Sequence, residues 1–287
     1  MTPYRRCALL LLLAIFPVAC QTMPPSTGLA LYDLRAHQAL APAQVIERLT
    51  SSRLVLVGEH HSNADHHRAQ LAVIRYLHAQ GVPVAVGLEM FRQDHQPTLD
   101  RWVAGDLEEA EFKTAYLENW NFDWRLYRAI FIFARDNKLP MVGLNVSREI
   151  TRQVAYNGFG SLDERQRNEL GAITCDVSAD YMAFIRQAYG GHGHGSHGGI
   201  KAFARFCEAQ LVWDTVMAVA AQKYLEAHPE RTLVLMAGSG HVQRPAIPTQ
   251  FARRTQLPYR ILLPETPGSF ERRQMDATAA DYLIIAP

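Results

Sequence analysis

Residues 54–68 read LVLVGEHHSNADHHR. The opening run, 54–57, is wholly apolar and ends at Gly58, and from Glu59 to His67 the chain then holds one Glu, one Asp and four His. An apolar run without polar alternation suits a strand buried on both faces. A polar turn followed by an amphipathic stretch completes a strand–turn–helix unit. Ser62, with Asp65 three residues on, resembles a capping arrangement for that helix. His67, Leu71, Ile74 and His78 share one helical face, so His67 begins a core-facing stripe. The helix dipole disfavours positive charge here, which favours neutral imidazoles. His66 and His67 point about 100° apart on a helix, so they do not share a metal.

The same pattern recurs along the chain. Short apolar strands are predicted at 53–57, 83–88, 140–144, 232–236, 259–263 and 282–285, and helices at 63–80, 122–138, 147–157, 179–189, 200–227 and 245–255. Such alternation predicts an α/β fold, a mostly parallel β-sheet flanked by helices. The stretches from about 92 to 125 and 158 to 230 are longer than a crossover needs and read as a helical insertion or cap.

In an open parallel sheet, ligands bind beyond the carboxyl ends of the strands. Those ends are where the polar residues of this sequence fall: Glu59-His60-His61 after the first strand, Glu89 after the second, Asn145 and Arg148 after the third, and Gly238-Ser239-Gly240-His241 after the fourth. A carboxylate at the end of an apolar strand needs a partner. For Glu89 that partner is either an ion pair with Arg148 or Arg92, or the chemistry of the rim itself. His61, Glu89 and His241, with Glu59, could hold a divalent metal with an open position, or act as acid and base on a bound water. No HExxH helix, GxSxG elbow or Walker loop is present, so the corresponding metalloprotease, serine-hydrolase and nucleotide-binding classes lose support.

At 287 residues, 48% hydrophobic and 20% charged, the chain suits one large domain, placed at 41–287. A net charge of +1 without a Lys/Arg block gives no argument for nucleic acid. Residues 1–19 read as an export signal: the basic MTPYRR, then an apolar segment too short to span a bilayer. Its end, Val18-Ala19 before Cys20, resembles a bacterial lipoprotein processing site, with Pro17 where Leu is usual. Cys20 would carry the lipid, and loss of Arg5 and Arg6 takes the net charge from +1 to −1. Residues 20–40 read as a tether. An exported domain then keeps Cys175 and Cys207, either as one disulfide or as two buried free thiols. The segment GGHGHGSHGG, 190–199, carries His192, His194 and His197 on glycines, a flexible linker or a loop able to wrap a metal.

The paired Gly58-x-x-His61 and Gly238-x-x-His241, with Glu89 between them, resemble the superfamily joining the ChaN haem-binding lipoproteins, the erythromycin-esterase-like enzymes and the Tiki/TraB proteins. LVGEHH, GLEMF, Asn119-Trp120 with Asp123-Trp124, and Ala209-Gln210-x-x-Trp213-Asp214-x-x-Met217-Ala218 are similar to ChaN in particular, over roughly residues 45–265. The resemblance implies haem binding during iron uptake or storage by a protein lipid-anchored to the outer membrane, with an outer-membrane haem receptor as a further partner. It also implies haem held between two protomers of a homodimer by a tyrosine, with polar groups such as Arg148 reaching the propionates. A phenolate suits ferric iron; Tyr181 and Tyr189, on a helix leading into the His-rich loop, are the residues singled out. The alternative carried by the same rim is a metal-dependent esterase or protease using His61, Glu89 and His241.

Overall fold

Alternate side chains of the strand β3 (Leu54–Glu59) enter two different cores. Val55 and Val57 belong to one apolar cluster, Leu54 and Leu56 to another. All six residues of β3 are buried, which accounts for its unbroken apolar run. Each such Leu or Val contributes roughly 1.5–3 kcal/mol through removal from water. The computed structural model describes residues 28–170, 173–189 and 199–285. The predicted signal segment, Cys20, and His192, His194 and His197 lie outside the described residues.

Among the described residues the sheet has eight strands. Besides β3 they are β1 (Ala30–Asp33), β2 (Gln38–Ala39), β4 (Val84–Arg92), β5 (Met141–Asn145), β6 (Thr232–Gly238), β7 (Tyr259–Pro264) and β8 (Tyr282–Ile285), in the order β2-β1-β8-β7-β3-β6-β4-β5. From β8 to β5 all neighbours run parallel, whereas β1 is antiparallel to both β8 and β2. This is the α/β fold the alternation predicted.

Helices α1 (Pro42–Thr50), α2 (Ala64–Ala79), α3 (Gln96–Ala104), α4 (Glu109–Asn119) and α5 (Trp124–Asp136) contribute to the first core, where Phe91, Trp102, Phe112, Tyr116 and Phe131 meet. On the other face lie α9 (Gly199–Ala227) and α11 (Ile247–Ala252), through residues such as Met217, Ala221 and Phe251. The remaining helices are α6 (Arg148–Asn157), α7 (Glu164–Leu170), α8 (Ala179–Tyr189) and α10 (Ser239–Val242).

Four features differ from the sequence expectations. The tether placed at 20–40 contains β1 and β2, which extend the sheet through Leu31, fully buried against the β8 edge. β1 is four residues long, too short for a periodic signal. The N-cap of α2 is Asn63, whose side chain accepts from the Asp65 amide at 2.9 Å, rather than Ser62. The helix expected over 245–255 shortens to α11, which starts with Pro248 in its first turn. Finally, Cys175 and Cys207 are free thiols, not a disulfide. Both adjoin a small apolar cluster with Tyr181, Ile185 and Leu211, and the Cys175 thiol donates to the Glu208 carbonyl at 3.6 Å. Burial pushes the Cys175 thiol up to about 12 and the Cys207 thiol up to about 11.

Candidate functional site

β3 and β6 run in register to their last residues, where Glu59 pairs with Gly238. β4 leaves this ladder at Leu88, and its register against β5 shifts between Leu88 and Arg92. Irregularities of this kind re-aim side chains at sheet rims. Glu89 lies in the shifted segment, and its Oε2 accepts from the Gly238 amide at 2.6 Å. Asn145 fixes the neighbouring strand end: it donates to the Glu89 carbonyl at 2.9 Å and accepts from Trp213 Nε1 at 2.5 Å. Glu89 therefore pairs with neither Arg92 nor Arg148. Arg92 contacts Asp94 and His95 instead, and Arg148 donates to the Asn119 carbonyl at 2.9 Å with its guanidinium over Trp120.

The two Gly-x-x-His motifs have a steric reason. A Cβ on Gly238 would lie 2.9 Å from His61 Cε1 and 3.2 Å from its Nε2. A Cβ on Gly58 would lie 2.6 Å from Leu263 and 2.9 Å from the Ser239 hydroxyl. Each glycine is the space through which the motif's partner element approaches.

Around these glycines stand two imidazole–carboxylate pairs. His61 Nδ1 meets Glu59 Oε1 at 2.7 Å, and Tyr127 donates its hydroxyl to that same oxygen. His67 Nδ1 lies 3.3 Å from Glu59 Oε2, while its Nε2 faces the His61 carbonyl at 3.1 Å. Burial alone would raise the Glu59 carboxyl, but the hydrogen bonds from His61 and His67 hold it down at about 2. His61 and His67 are raised in turn: burial opposes their charge and the Glu59 hydrogen bond outweighs it. The dipole argument for neutral imidazoles thus fails for His67, where a full carboxylate outweighs a partial charge. It holds for His66, which burial pushes down to about 4. The His60 amide donates to His66 Nδ1 at 2.8 Å, so the Nε2 tautomer, bonded to Thr266 at 2.9 Å, is the neutral form present.

In the second pair, His241 Nδ1 meets Asp214 Oδ1 at 2.6 Å, and Tyr181 donates to Asp214 Oδ2 at 2.5 Å. His241 Nε2 is 3.7 Å from Glu89 Oε1. Burial opposes charge on His241, yet the Asp214 and Glu89 carboxylates raise it to about 9. Burial pushes the Asp214 carboxyl up. Asp214 was visible in the sequence only as part of a similar motif; its role as the partner of His241 spans 27 residues and two elements. Tyr127 carried no sequence signal, because an aromatic on an apolar helix face reads as core.

These groups form the floor of a cleft of about 1300 Å³, with walls including Trp120, Phe122, Phe184, Trp213 and Phe270. That exceeds the roughly 300–1,000 Å³ common for small-molecule sites. Among the described lining residues Arg148 is the only Lys or Arg, and it is exposed. The cleft thus gathers Glu59, His61, Glu89, Arg148 and His241 from distant parts of the chain. Tyr181 does not join them: it is buried, with its hydroxyl on Asp214, and the described lining contains no tyrosine. Tyr189 ends α8, two residues after Gln187 of the lining.

The metal centre expected at His61, Glu89, His241 and Glu59 has no geometric support. Among the described residues, no three His, Cys, Asp or Glu side chains converge as metal ligands. The Nδ1 atoms of both histidines are taken by carboxylates, and Glu89 Oε2 is taken by a backbone amide.

A family model described as haem-binding uptake, Tiki superfamily, ChaN, matches residues 45–251. The ChaN protein of Campylobacter jejuni, in a structure of cofacial haem binding, superposes with a TM-score of 0.69 at 18% identity, covering 89% of this chain and 95% of that one. An erythromycin esterase in an open conformation superposes at 0.50 and 15% identity, over 84% of this chain and 81% of that one, which shows a shared fold. No curated protein matches the sequence. The chain belongs to the ChaN haem-binding uptake family of the Tiki superfamily.

Proposed function

We infer that the protein binds haem as an exported lipoprotein, anchored through Cys20 to the outer membrane, and serves haem or iron uptake or storage. The observation that carries this reading is the family match over residues 45–251. The site fits such a ligand on three counts. Its volume and aromatic walls suit a large apolar macrocycle, and the exposed Arg148 guanidinium is a counter-charge for a propionate. His60 lines the mouth, and burial, then the charge of His61, lower its imidazole. Its ring makes no hydrogen bond among the described residues. A neutral ring of this kind is a competent iron ligand. Tyr189 and the segment carrying His192, His194 and His197 follow the cleft-lining part of α8 in sequence, and we propose them as the other donors.

Bound haem supplies a ferric iron whose affinity for phenolate or imidazole fixes its orientation. This chain's residues would hold the macrocycle edge against Trp120 and Phe122, and Arg148 would neutralise a carboxylate. A second protomer facing the mouth would complete a homodimer around the ligand, and release to an outer-membrane receptor would follow from an open, exposed edge.

The test is a hemin titration of the mature protein, coupled to a sizing measurement. A saturable Soret change with a shift toward a dimer is expected. Absence of any saturable change at micromolar protein overturns the reading.

A further inference from the structure

Away from the cleft, α9, α11 and the segment before α8 border a second cavity of about 220 Å³. Its lining is Thr174, Asp176, Leu211, Gln250, Arg253 and Arg254. None of these residues lines the cleft. Gln210 does, and Leu211 beside it on α9 points about 100° away. The cavity is smaller than the roughly 300–1,000 Å³ of sites for drug-sized ligands, which limits an occupant to a small molecule.

Its cations come from one helical face. Gln250, Arg253 and Arg254 stand at i, i+3 and i+4 where α11 ends, so they fall together. The turn is regular: the Arg253 amide donates to the Thr249 carbonyl at 3.2 Å, and the Arg254 amide to the Phe251 carbonyl at 3.0 Å. Arg254 Nη1 donates to the Gln250 carbonyl at 2.7 Å and to Gln250 Oε1 at 3.3 Å, which fixes its guanidinium beside the cavity. The other end of that amide, Gln250 Nε2, has no hydrogen-bond partner among the described residues, although Gln250 is only 5% exposed. A buried donor of this kind calls for a water or a polar ligand group.

The anion of the cavity stands apart from these cations. The Cys175 thiol, bonded to the Glu208 carbonyl, holds its segment on α9, and its neighbours Thr174 and Asp176 are exposed. Among the described residues neither Arg253 nor Arg254 forms an ion pair, with Asp176 or with any other carboxylate. Burial, then the like charge of Arg253, lowers Arg254, so its half-buried charge is uncompensated. Two guanidiniums with an open amide are a donor set for a carboxylate. An oxyanion alone would be opposed by Asp176, and a cation alone by the arginines. A ligand carrying both charges satisfies both ends.

We propose that this cavity binds a small zwitterion, an α-amino acid with a short side chain. Arg253, Arg254 and the Gln250 amide hold its carboxylate, and Asp176 holds its ammonium. Leu211 supplies the one apolar surface, which suits a side chain no larger than a methyl or hydroxymethyl group. The site shares no residue with the cleft and does not depend on haem.

The experiment is a calorimetric titration of the mature protein with glycine, L-alanine and L-serine. N-acetylglycine offers the carboxylate alone, glycinamide the ammonium alone, and inorganic phosphate an oxyanion without either. At least one amino acid should bind saturably, with each of the three controls weaker by roughly tenfold or more. Arg254→Gln should weaken the amino acid by roughly ten- to a hundredfold, and Asp176→Asn by only a few-fold, because its charge is exposed. Thermal melts establish that the variants are folded; should Arg254→Gln unfold, Arg253→Gln at an exposed position takes its place. The proposal is overturned by no saturable binding at millimolar amino acid, by phosphate or N-acetylglycine binding as tightly, or by unchanged affinity in the folded arginine variant. The hemin titration of these variants should match wild type, so neither reading rests on the other.

Discussion

His241 Nδ1 and Asp214 Oδ1 are 2.6 Å apart with both side chains buried, and this contact ties α10, which follows β6 directly, to the middle of α9. Losing one member leaves the other charge without its partner. Asp214→Ala should therefore cost about 3–5 kcal/mol, read by urea denaturation. Asp214→Asn keeps the shape and removes the charge, leaving Glu89 at 3.7 Å as the nearest carboxylate. The His241 imidazole should then titrate well below about 9, followed by NMR of its ring protons. An unchanged titration would show that Asp214 does not hold the proton in place.

Stability should fall at both ends of the pH range, for opposite reasons. Glu59 is held at about 2 in the fold against 4.5 when free. Its contribution, on the order of 3 kcal/mol, is complete above pH 4.5 and disappears as the pH falls through 2. His241 is raised from 6.5 to about 9, so its contribution is complete below pH 6.5 and disappears as the pH rises through 9. His66, pushed down from 6.5 to about 4, adds a loss as the pH falls between those values, so urea midpoints should be highest near pH 6.5. Glu59→Gln should flatten the acid side and also weaken the alkaline loss that His61 and His67 contribute through Glu59; an acid side as steep as wild type would contradict this assignment.

Gly238→Ala tests the space that the second Gly-x-x-His motif protects. The new methyl would meet the His61 ring at 2.9 Å, with Glu89 Oε2 at 3.7 Å. The expected result is destabilisation of about 1–3 kcal/mol from overpacking, with the His61 ring displaced from Glu59. A crystal structure of the variant with an unmoved ring would refute the steric explanation.

The strand–turn–helix grammar of 54–68 was readable because buried parallel strands are apolar on both faces, and the strand ends therefore stood out as polar. The convergence of His61, Glu89, Arg148 and His241 on one cleft follows from strand direction, which the βα alternation implies. The partners of those groups were not readable. Asp214 reaches His241 from mid-helix, and Tyr127 reaches Glu59 across 68 residues; neither separation leaves a periodic trace. The destination of Tyr181 was hidden for the same reason. A helical tyrosine near the cleft has the same pattern whether it faces the ligand or supports a carboxylate. Two cysteines in a chain read as exported suggested a bridge, but an apolar seam holds thiols equally well.

That seam gives its own expectation. With thiols pushed up to about 12 and 11, Cys175 and Cys207 carry almost no thiolate at neutral pH. Alkylation of the folded protein should be slow at both. Denaturation without reductant should expose both to alkylation, read by peptide mapping. A peptide pair linked until reduction would overturn the free-thiol assignment.

Arg148 is the residue through which haem affinity should be most legible. It is exposed, its backbone begins α6, and the one described hydrogen bond of its guanidinium is to the Asn119 carbonyl. Removing it costs the fold little, since the guanidinium over Trp120 at 5.8 Å is a weak surface contact. A charge-assisted bond to a propionate is worth about 1.5–3 kcal/mol, so Arg148→Ala should weaken hemin binding by roughly ten- to a hundredfold while the melting temperature stays near wild type. Arg148→Lys should recover only part of the loss, because a point charge does not reproduce the planar fork. The His60→Ala variant separates the two ends of the ligand. If His60 is an iron ligand, the Soret position should move; if Arg148 serves only the propionate, its variants should change affinity without moving the band. Hemin affinity unchanged in Arg148→Ala would remove the cleft mouth from the haem site and leave the His-rich segment after α8 as the place to look.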